Sequence, residues 1–378
     1  MCGERAQLEI DATEGKARAG RVTLPRGSYE TPIFMPVGTH ATVKALTVED
    51  LESINAEVIL SNAYHLHLRP GEDLVQELGG LQRFMGWPRL ILTDSGGYQV
   101  FSLRQLMRID DEGVTFRSHI NGSKHTLSPE RAMGVQAALG SDIAMAFDQC
   151  PPSDASKADV QAAMERTTRW AERCVRQPRP DHQVRFGIVQ GGLHLDLRRR
   201  HIEALAGMPF DGYALGGLSV GDTPEQMTEV LDAVASEMPA HRPRYLMGVG
   251  RPQDLLRAIS AGIDMFDCVM PTRHARNGQL FTSQGRIVIS NARHRDEKGP
   301  IDEQCHCTTC QRYSRAYLRH LYVAKEILYS RLATYHNVHF FVDLVRQARQ
   351  AIRAGELETF TRSWLSRLDA ADEARRSR

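Results

Sequence analysis

No uninterrupted apolar stretch in this chain is long enough to cross a bilayer, so a helical membrane protein is not expected. The chain also has almost no net charge, with 47 Lys and Arg against 46 Asp and Glu. Nothing global therefore marks a nucleic-acid binder, and any contact with a polyanion must come from local basic patches. The start, Met1-Cys2-Gly3-Glu4-Arg5-Ala6, is polar and leads into no apolar segment. No signal peptide is expected, and the expected setting is the cytoplasm. There is no Gly-Lys-Ser/Thr phosphate loop and no dinucleotide fingerprint, which fits a reaction that needs neither a nucleoside triphosphate nor a redox cofactor. Cysteine is scarce and odd in number: seven in 378 residues, with Cys2, Cys150, Cys174 and Cys268 scattered and Cys305, Cys307 and Cys310 packed together. A disulfide framework would distribute them differently, so reduced thiols with a metal-holding cluster are expected.

What is present is 42% hydrophobic residues, ample for a large core, arranged in eight short β-rich runs. The runs are Ile33–Val37, Val58–Leu60, Leu90–Leu92, Ile143–Phe147, Phe186–Val189, Tyr213–Leu215, Tyr245–Met247 and Ile263–Phe266. Amphipathic stretches at 127–140, 156–176, 194–207, 223–237 and 251–260 read as helices between them. Strands alternating with helices imply parallel pairing. Eight repeats imply an α/β fold closed as a (β/α)8 TIM barrel, which one domain of this length accommodates. Polar or glycine residues recur where the runs end: Asp94, Asp148, Gln190, Gly216-Gly217, Gly248 and Asp267. Any one of these reads equally well as a strand terminator. Six together, with little else polar inside the runs, favour a common site at the barrel mouth.

After the eighth run the pattern changes. Arg273, Arg276, Arg286, Arg293, Arg295 and Lys298 fall in a stretch with a strand-like Arg286–Ile289, before the cysteine cluster and helical segments near 312–331. The expected division is a barrel with N-terminal strands at 1–271 and a zinc-binding insertion at 272–336. A closing helix, near 338–353, and a tail complete it at 337–378, with 371–378 frayed. Cys305-His306-Cys307-Thr308-Thr309-Cys310 is the most specific motif: three thiolates and one imidazole satisfy tetrahedral Zn2+ and leave no open position, as in a structural site. By spacing alone His306, His320, His336 and His339 compete for the fourth place. His65 and His67 follow the second run and form a hydrolase-like His-X-His. Later strand ends supply no further histidine, so both are read as packing groups.

Two carboxylates stand in flexible or strand-end settings, Asp94 within Thr93–Phe101 and Asp267 within Phe266–Arg273. An acid pair across one pocket suits glycosidic chemistry, one attacking the anomeric carbon and the other handling protons. Such acids equally serve as helix caps or ion-pair partners. At this point ordered landmarks accumulate: Thr31–Thr39, Tyr64–Leu66, Leu68–Gly71, the Asp94 motif, Phe147–Cys150, Gly187–Gly192, Gly216–Gly221, Tyr245–Gly250 and the Asp267 motif. Over essentially its whole length the chain closely resembles the bacterial-type tRNA-guanine transglycosylases (queuine tRNA-ribosyltransferase family).

The resemblance implies that the protein replaces guanine 34 of G-U-N-anticodon tRNAs with preQ1 (7-aminomethyl-7-deazaguanine), in queuosine biosynthesis. It implies Asp267 as nucleophile, forming a covalent ester to ribose, and Asp94 as general acid/base. Asp148, Gln190 and Gly217 match groups that read the base edge, in a pocket that includes Ser95, Gly96, Gly97 and Leu218. Tyr98 and Met247 match the two sides of a sandwich around the ring. The stretches Gly248-Val249-Gly250-Arg251-Pro252-Gln253-Asp254 and Thr272-Arg273-His274-Ala275-Arg276 match RNA-contacting segments. Cys305, Cys307, Cys310 and His336 match the ligands of one structural Zn2+ per subunit. The implied partners are the tRNAs for Asp, Asn, His and Tyr, preQ1, guanine and a second copy of the chain, with no membrane. Cys150 and Val220 are similar to the bacterial pocket. Gln149 departs from it by standing where most members carry Glu, which weakens the expected selection of a cationic aminomethyl group. A non-catalytic RNA-binding subunit and a metal-dependent barrel hydrolase are the rival readings.

Overall fold

The computed structural model describes residues 5–97, 107–218 and 221–376. All eight expected runs are strands of one parallel sheet: β4 (Ile33–Pro36), β5 (Val58–Asn62), β6 (Leu90–Asp94), β10 (Ile143–Met145), β11 (Val184–Val189), β12 (Gly212–Leu215), β13 (Arg244–Leu246) and β14 (Met265–Cys268). Their order is β4-β14-β13-β12-β11-β10-β6-β5. The remaining seam closes where Val37 bridges Leu60 and Gly38 N–H donates to the Leu60 carbonyl at 2.6 Å. The fold is a (β/α)8 barrel.

Strand side chains alternate between two environments, as a period of two requires. Ile33, Met35, Val58, Leu60, Leu90, Leu92, Ile143, Met145, Phe186, Ile188, Tyr245 and Met265 fill the barrel interior. Phe34, Ala144, Val189, Tyr213, Leu246 and Phe266 face the surrounding helices. The helices at Pro129–Leu139, Lys157–Val175, Leu195–Ala206, Pro224–Val234 and Pro252–Ser260 match the amphipathic stretches. Ser128, Ser156 and Thr223 cap three of them by accepting from backbone N–H groups of the first turn.

The sequence predicts strands ahead of the barrel without bounds, but it does not predict a second antiparallel sheet, the early start of the closing helix or the helix at the C-terminal end. An antiparallel sheet of β1 (Gln7–Glu14), β2 (Ala17–Leu24) and β3 (Gly27–Thr31) precedes the barrel. It covers the N-terminal barrel end, where Arg18 pairs with Asp264 at 2.5 Å with both side chains buried. A second antiparallel sheet, β7 (Met107–Ile109), β8 (Val114–Arg117) and β9 (Lys124–Leu127), lies between β6 and β10. The closing helix begins well before the expected position and runs from Ile327 to Ala354, packing Phe341 on Phe34 of β4 with ring centroids 5.1 Å apart. Residues 371–376 are not frayed but end a helix at Leu357–Arg376, whose Leu368 and Trp364 are buried. Burial of that apolar face outweighs the charge density that suggested a loose tail. The strand-like Arg286–Ile289 is β16 (Gly285–Val288), paired with β15 (Gln279–Thr282). Among the described residues, no helix is long and apolar enough to cross a membrane.

Candidate active site and metal centre

Extending the inward parity of the barrel strands one step past the last apolar layer brings polar groups into the mouth. Asn62 follows Val58 and Leu60, Asp94 follows Leu90 and Leu92, Gln190 follows Phe186 and Ile188, and Asp267 follows Met265. Together with Asp148, Cys150, Gly217, Leu218, Tyr245 and Met247 they line a cavity of about 250 Å³. That is close to the lower end, roughly 300 Å³, of small-molecule sites.

Asp267 is buried, and its Oδ1 accepts two bonds, from the Tyr245 hydroxyl at 2.5 Å and from Gly248 N–H at 2.8 Å. Its Oδ2 accepts none among the described residues. Burial pushes the carboxyl above the ordinary carboxylate range, and the two donors pull it partly back. Asp94 is held from β5. Asn62 is its register partner in the parallel pairing, and the Asn62 amide donates to Oδ2 while Ala63 N–H donates to Oδ1 at 3.0 Å. The two acids therefore stand at separate strand ends with different supports.

Asp148 is the third carboxylate. Gln190 Nε2 donates to its Oδ2 at 2.7 Å and Ser95 Oγ to its Oδ1 at 3.4 Å. Burial still pushes its pKa up to about 6. Behind it, Gln190 N–H donates to His201 Nδ1 at 2.8 Å, and burial lowers that imidazole to about 4, so it stays neutral with its proton on Nε2. The backbone crowds this group closely. A Cβ on Gly217, which lies at φ +66°, would sit 2.6 Å from Gln190 Oε1, and one on Gly97 would sit 2.7 Å from Asp148 Oδ1. Both positions admit only glycine.

Of the sequence-predicted base-site residues, Asp94, Ser95, Gly96, Gly97, Asp148, Gln190, Gly217, Leu218, Met247 and Asp267 share this cavity. Tyr98 and Val220 lie outside the described residues. Gln149 does not line the cavity: its Oε1 accepts from Arg166 Nη1 at 2.6 Å on the helix side. Asn62, Tyr245 and His201 were missed, because each reads as ordinary strand or helix interior. The available signal was that a buried amide, phenol or imidazole needs a polar partner. The two predicted RNA stretches are divided. Gly248 and Arg273 are exposed and Arg251, His274 and Arg276 half-buried. Val249, Gly250, Pro252, Gln253, Asp254, Thr272 and Ala275 are turned inward. The second stretch lies on a helix, Met270–Arg276.

The cysteine cluster forms a separate centre. Cys305, Cys307, Cys310 and His336 offer ligand atoms within 4.8 Å of one another. His336 Nδ1 lies 3.6, 3.5 and 3.3 Å from the three sulfurs in chain order. A tetrahedral ion bound at about 2.3 Å to sulfur and 2.0 Å to nitrogen would hold S and N roughly 3.5 Å apart. The donor set fits. His336 Nε2 donates to the Phe281 carbonyl at 2.7 Å, which fixes the tautomer that leaves Nδ1 for a metal. His339 approaches only Cys305, at 3.7 Å, and His306 and His320 are exposed. His65 and His67 join no such group, so the hydrolase reading has no metal cluster among the described residues.

Comparison with known proteins gives a consistent result. The pattern of the family described as queuine tRNA-ribosyltransferase matches residues 11–370. The chain is 52% identical over 365 residues to the queuine tRNA-ribosyltransferase of Herpetosiphon aurantiacus, covering 97% of this chain and 93% of that one. It is 55% identical over 357 residues to that of Lysinibacillus sphaericus, covering 94% of each. The likeness to the Solidesulfovibrio magneticus protein is also 55%, over 349 residues, 92% of this chain and 94% of the relative.

Proposed function

Because the chain belongs to the queuine tRNA-ribosyltransferase family, the tRNA-guanine transglycosylases of queuosine synthesis, we propose that it works through a covalent Asp267–ribose intermediate. In the first half-reaction Asp267 Oδ2 bonds to the anomeric carbon as the bond to guanine N9 breaks. The bonding pair moves onto the purine, and the Asp94 carboxyl supplies the proton. In the second half the incoming base gives its N9 proton to Asp94 and attacks the same carbon, and the ester bond returns its pair to Asp267. Two displacements at one carbon retain configuration and give ping-pong kinetics. The observation that carries this reading is the one-sided tethering of Asp267, two donors on Oδ1 and an open Oδ2 at the cavity wall.

In this reading Asp148 accepts from the N–H edge of a guanine-like base, and Gln190 and the Gly217 backbone complete the set. Adenine presents the opposite pattern and leaves these buried groups unpaired. Met247, which lines the cavity, packs on one face of the ring, and the resemblance assigns the other face to Tyr98. We assign preQ1 as the incoming base on the likeness of Cys150 and Val220 to the bacterial pocket, with Cys150 lining the cavity. Gln149, turned to Arg166, does not weigh against it. Arg251, Arg273 and Arg276 carry the RNA contact, in tRNAs with G-U-N anticodons for Asp, Asn, His and Tyr. The metal is Zn2+, held by Cys305, Cys307, Cys310 and His336, all within the insertion at 272–336, and its role is to fasten the cysteine turn to the helix Ile327–Ala354 that continues into the closing segment 337–378. The working state is a cytoplasmic homodimer.

The test is to mix the protein with a guanine-containing anticodon stem-loop and a deazaguanine, quench in denaturant, and map any RNA–peptide ester by mass spectrometry. An adduct on Asp267, abolished in Asp267→Asn, is expected. An adduct on Asp94 would reverse the two roles.

A further inference from the structure

Four basic side chains gather on the rim beside Asp94. His40 lies three residues past Val37, where the chain leaves β4, and His65 lies three residues past Asn62, where it leaves β5. Their rings are 4.8 Å apart. His119, from the turn between β8 and β9, stands 5.9 Å from His65, and its Nδ1 is 3.3 Å from the Tyr64 hydroxyl. Lys44 completes the group and acts electrostatically on both His40 and His65.

Two properties set this cluster apart from the other charged surfaces. No carboxylate forms an ion pair with any of the four among the described residues. Nearby, by contrast, His67 and Arg131 both pair with Glu72, and Arg331 pairs with Asp50. The segment that presents His40 and Lys44 is also strained. Ala41 and Ala45 adopt φ of 55° and 67°, the left-handed region that costs a residue with a Cβ energy. Backbone strain held next to a ligand cavity is a recurrent property of binding segments.

We propose that His40, Lys44, His65 and His119 form an anion subsite that holds a phosphodiester of the substrate RNA beside the nucleotide being exchanged. The inference rests on the RNA-dependent reading above. The ligand is read as anionic, because Lys44 brings a positive charge with no counter-charge in the group, and the three imidazoles beside it can donate hydrogen bonds or take up a proton towards an anion. It must come from the substrate's backbone, because the rim adjoins the cavity through Val37 and Asn62, both of which line it. His40 and His65 are held below the ordinary imidazole range by burial, by Lys44 and by His119, and no acidic group acts on either. A phosphate would raise both, so RNA binding takes up protons and strengthens as the pH falls.

The experiment compares wild type with His40→Gln/Lys44→Gln, and separately with His119→Gln, on an anticodon stem-loop. Affinity is read by fluorescence anisotropy, and labelled-guanine exchange in parallel. The double variant should show RNA affinity weakened about fivefold or more and a slope of log affinity against log salt shallower by roughly 0.7, one phosphate contact on a single strand. The KM for guanine and the thermal midpoint should not move. Wild-type affinity should tighten from pH 8 to pH 6, and that trend should flatten in the variant. Unchanged affinity and salt slope in both variants would overturn the subsite. Absence of guanine exchange by wild type would instead refute the reading it rests on, while the anisotropy comparison would still decide the subsite.

Discussion

Removing the Tyr245 hydroxyl isolates the electrostatics of Asp267 without opening a cavity. In Tyr245→Phe the ring stays in the barrel interior and Oδ1 keeps only the Gly248 N–H. A hydrogen bond to a charged group contributes roughly 1.5–3 kcal/mol. Each 1.36 kcal/mol of barrier is tenfold in rate, so the loss spans roughly ten- to 150-fold. Because the second donor remains, the lower end is expected. The hydroxyl also opposes the upward push of burial on the carboxyl. Deleting it therefore raises the Asp267 pKa further, by about one unit for each 1.36 kcal/mol lost. The assay is single-turnover adduct formation from pH 5 to 8.5. A rate about tenfold lower at pH 7.5 is expected, with an acid limb displaced upward by about one unit. A rate within twofold of wild type with an unmoved acid limb would refute the reasoning, because the phenol would then contribute only packing.

Asp148 has a pKa raised to about 6, so its ionised form weakens the fold and its proton stabilises it. That stability is full below the unfolded-state pKa near 4 and is lost as the pH rises through 6. Asp148→Asn should therefore match or exceed wild-type stability at pH 8, by at most about 2–3 kcal/mol in denaturant titrations, while losing guanine binding. A variant less stable than wild type at every pH would contradict this. Stripping the metal with a chelator, or Cys310→Ser, should leave metal analysis below one ion per chain. It should also lower the thermal midpoint and speed amide exchange in the helix from Ile327 to Ala354. Unchanged exchange would separate the metal from the fold.

The barrel was legible because each strand is an apolar run buried on both faces, the pattern expected of parallel strands. The site was legible where a polar residue ends such a run, as at Asp94, Gln190 and Asp267. Tyr245 was not, because a tyrosine inside an apolar run is indistinguishable from core until its neighbour strand is known. Asn62 shows the same limit: its value comes from sharing a register position with Asp94, and register is a property of paired strands. The strands β7–β9 escaped notice because they are only three or four residues long and carry exposed charged residues such as Arg117 and Lys124. The early start of the helix at Ile327 was hidden by exposed apolar residues, Ile327 and Leu328, that break its amphipathic pattern.

That helix has 28 residues and spans about 42 Å. Along its length it touches three things that sequence alone keeps apart. His336 belongs to the thiolate cluster. Next to it, Asn337 donates to the carbonyls of Pro271 and Gln279 and accepts from Phe281 N–H. Phe341 leans on the barrel wall at Phe34. Pro271 is only four positions beyond Asp267. One rigid element thus ties the thiolate cluster, through Asn337, to the backbone that leaves β14, although the cluster itself lies outside the base cavity.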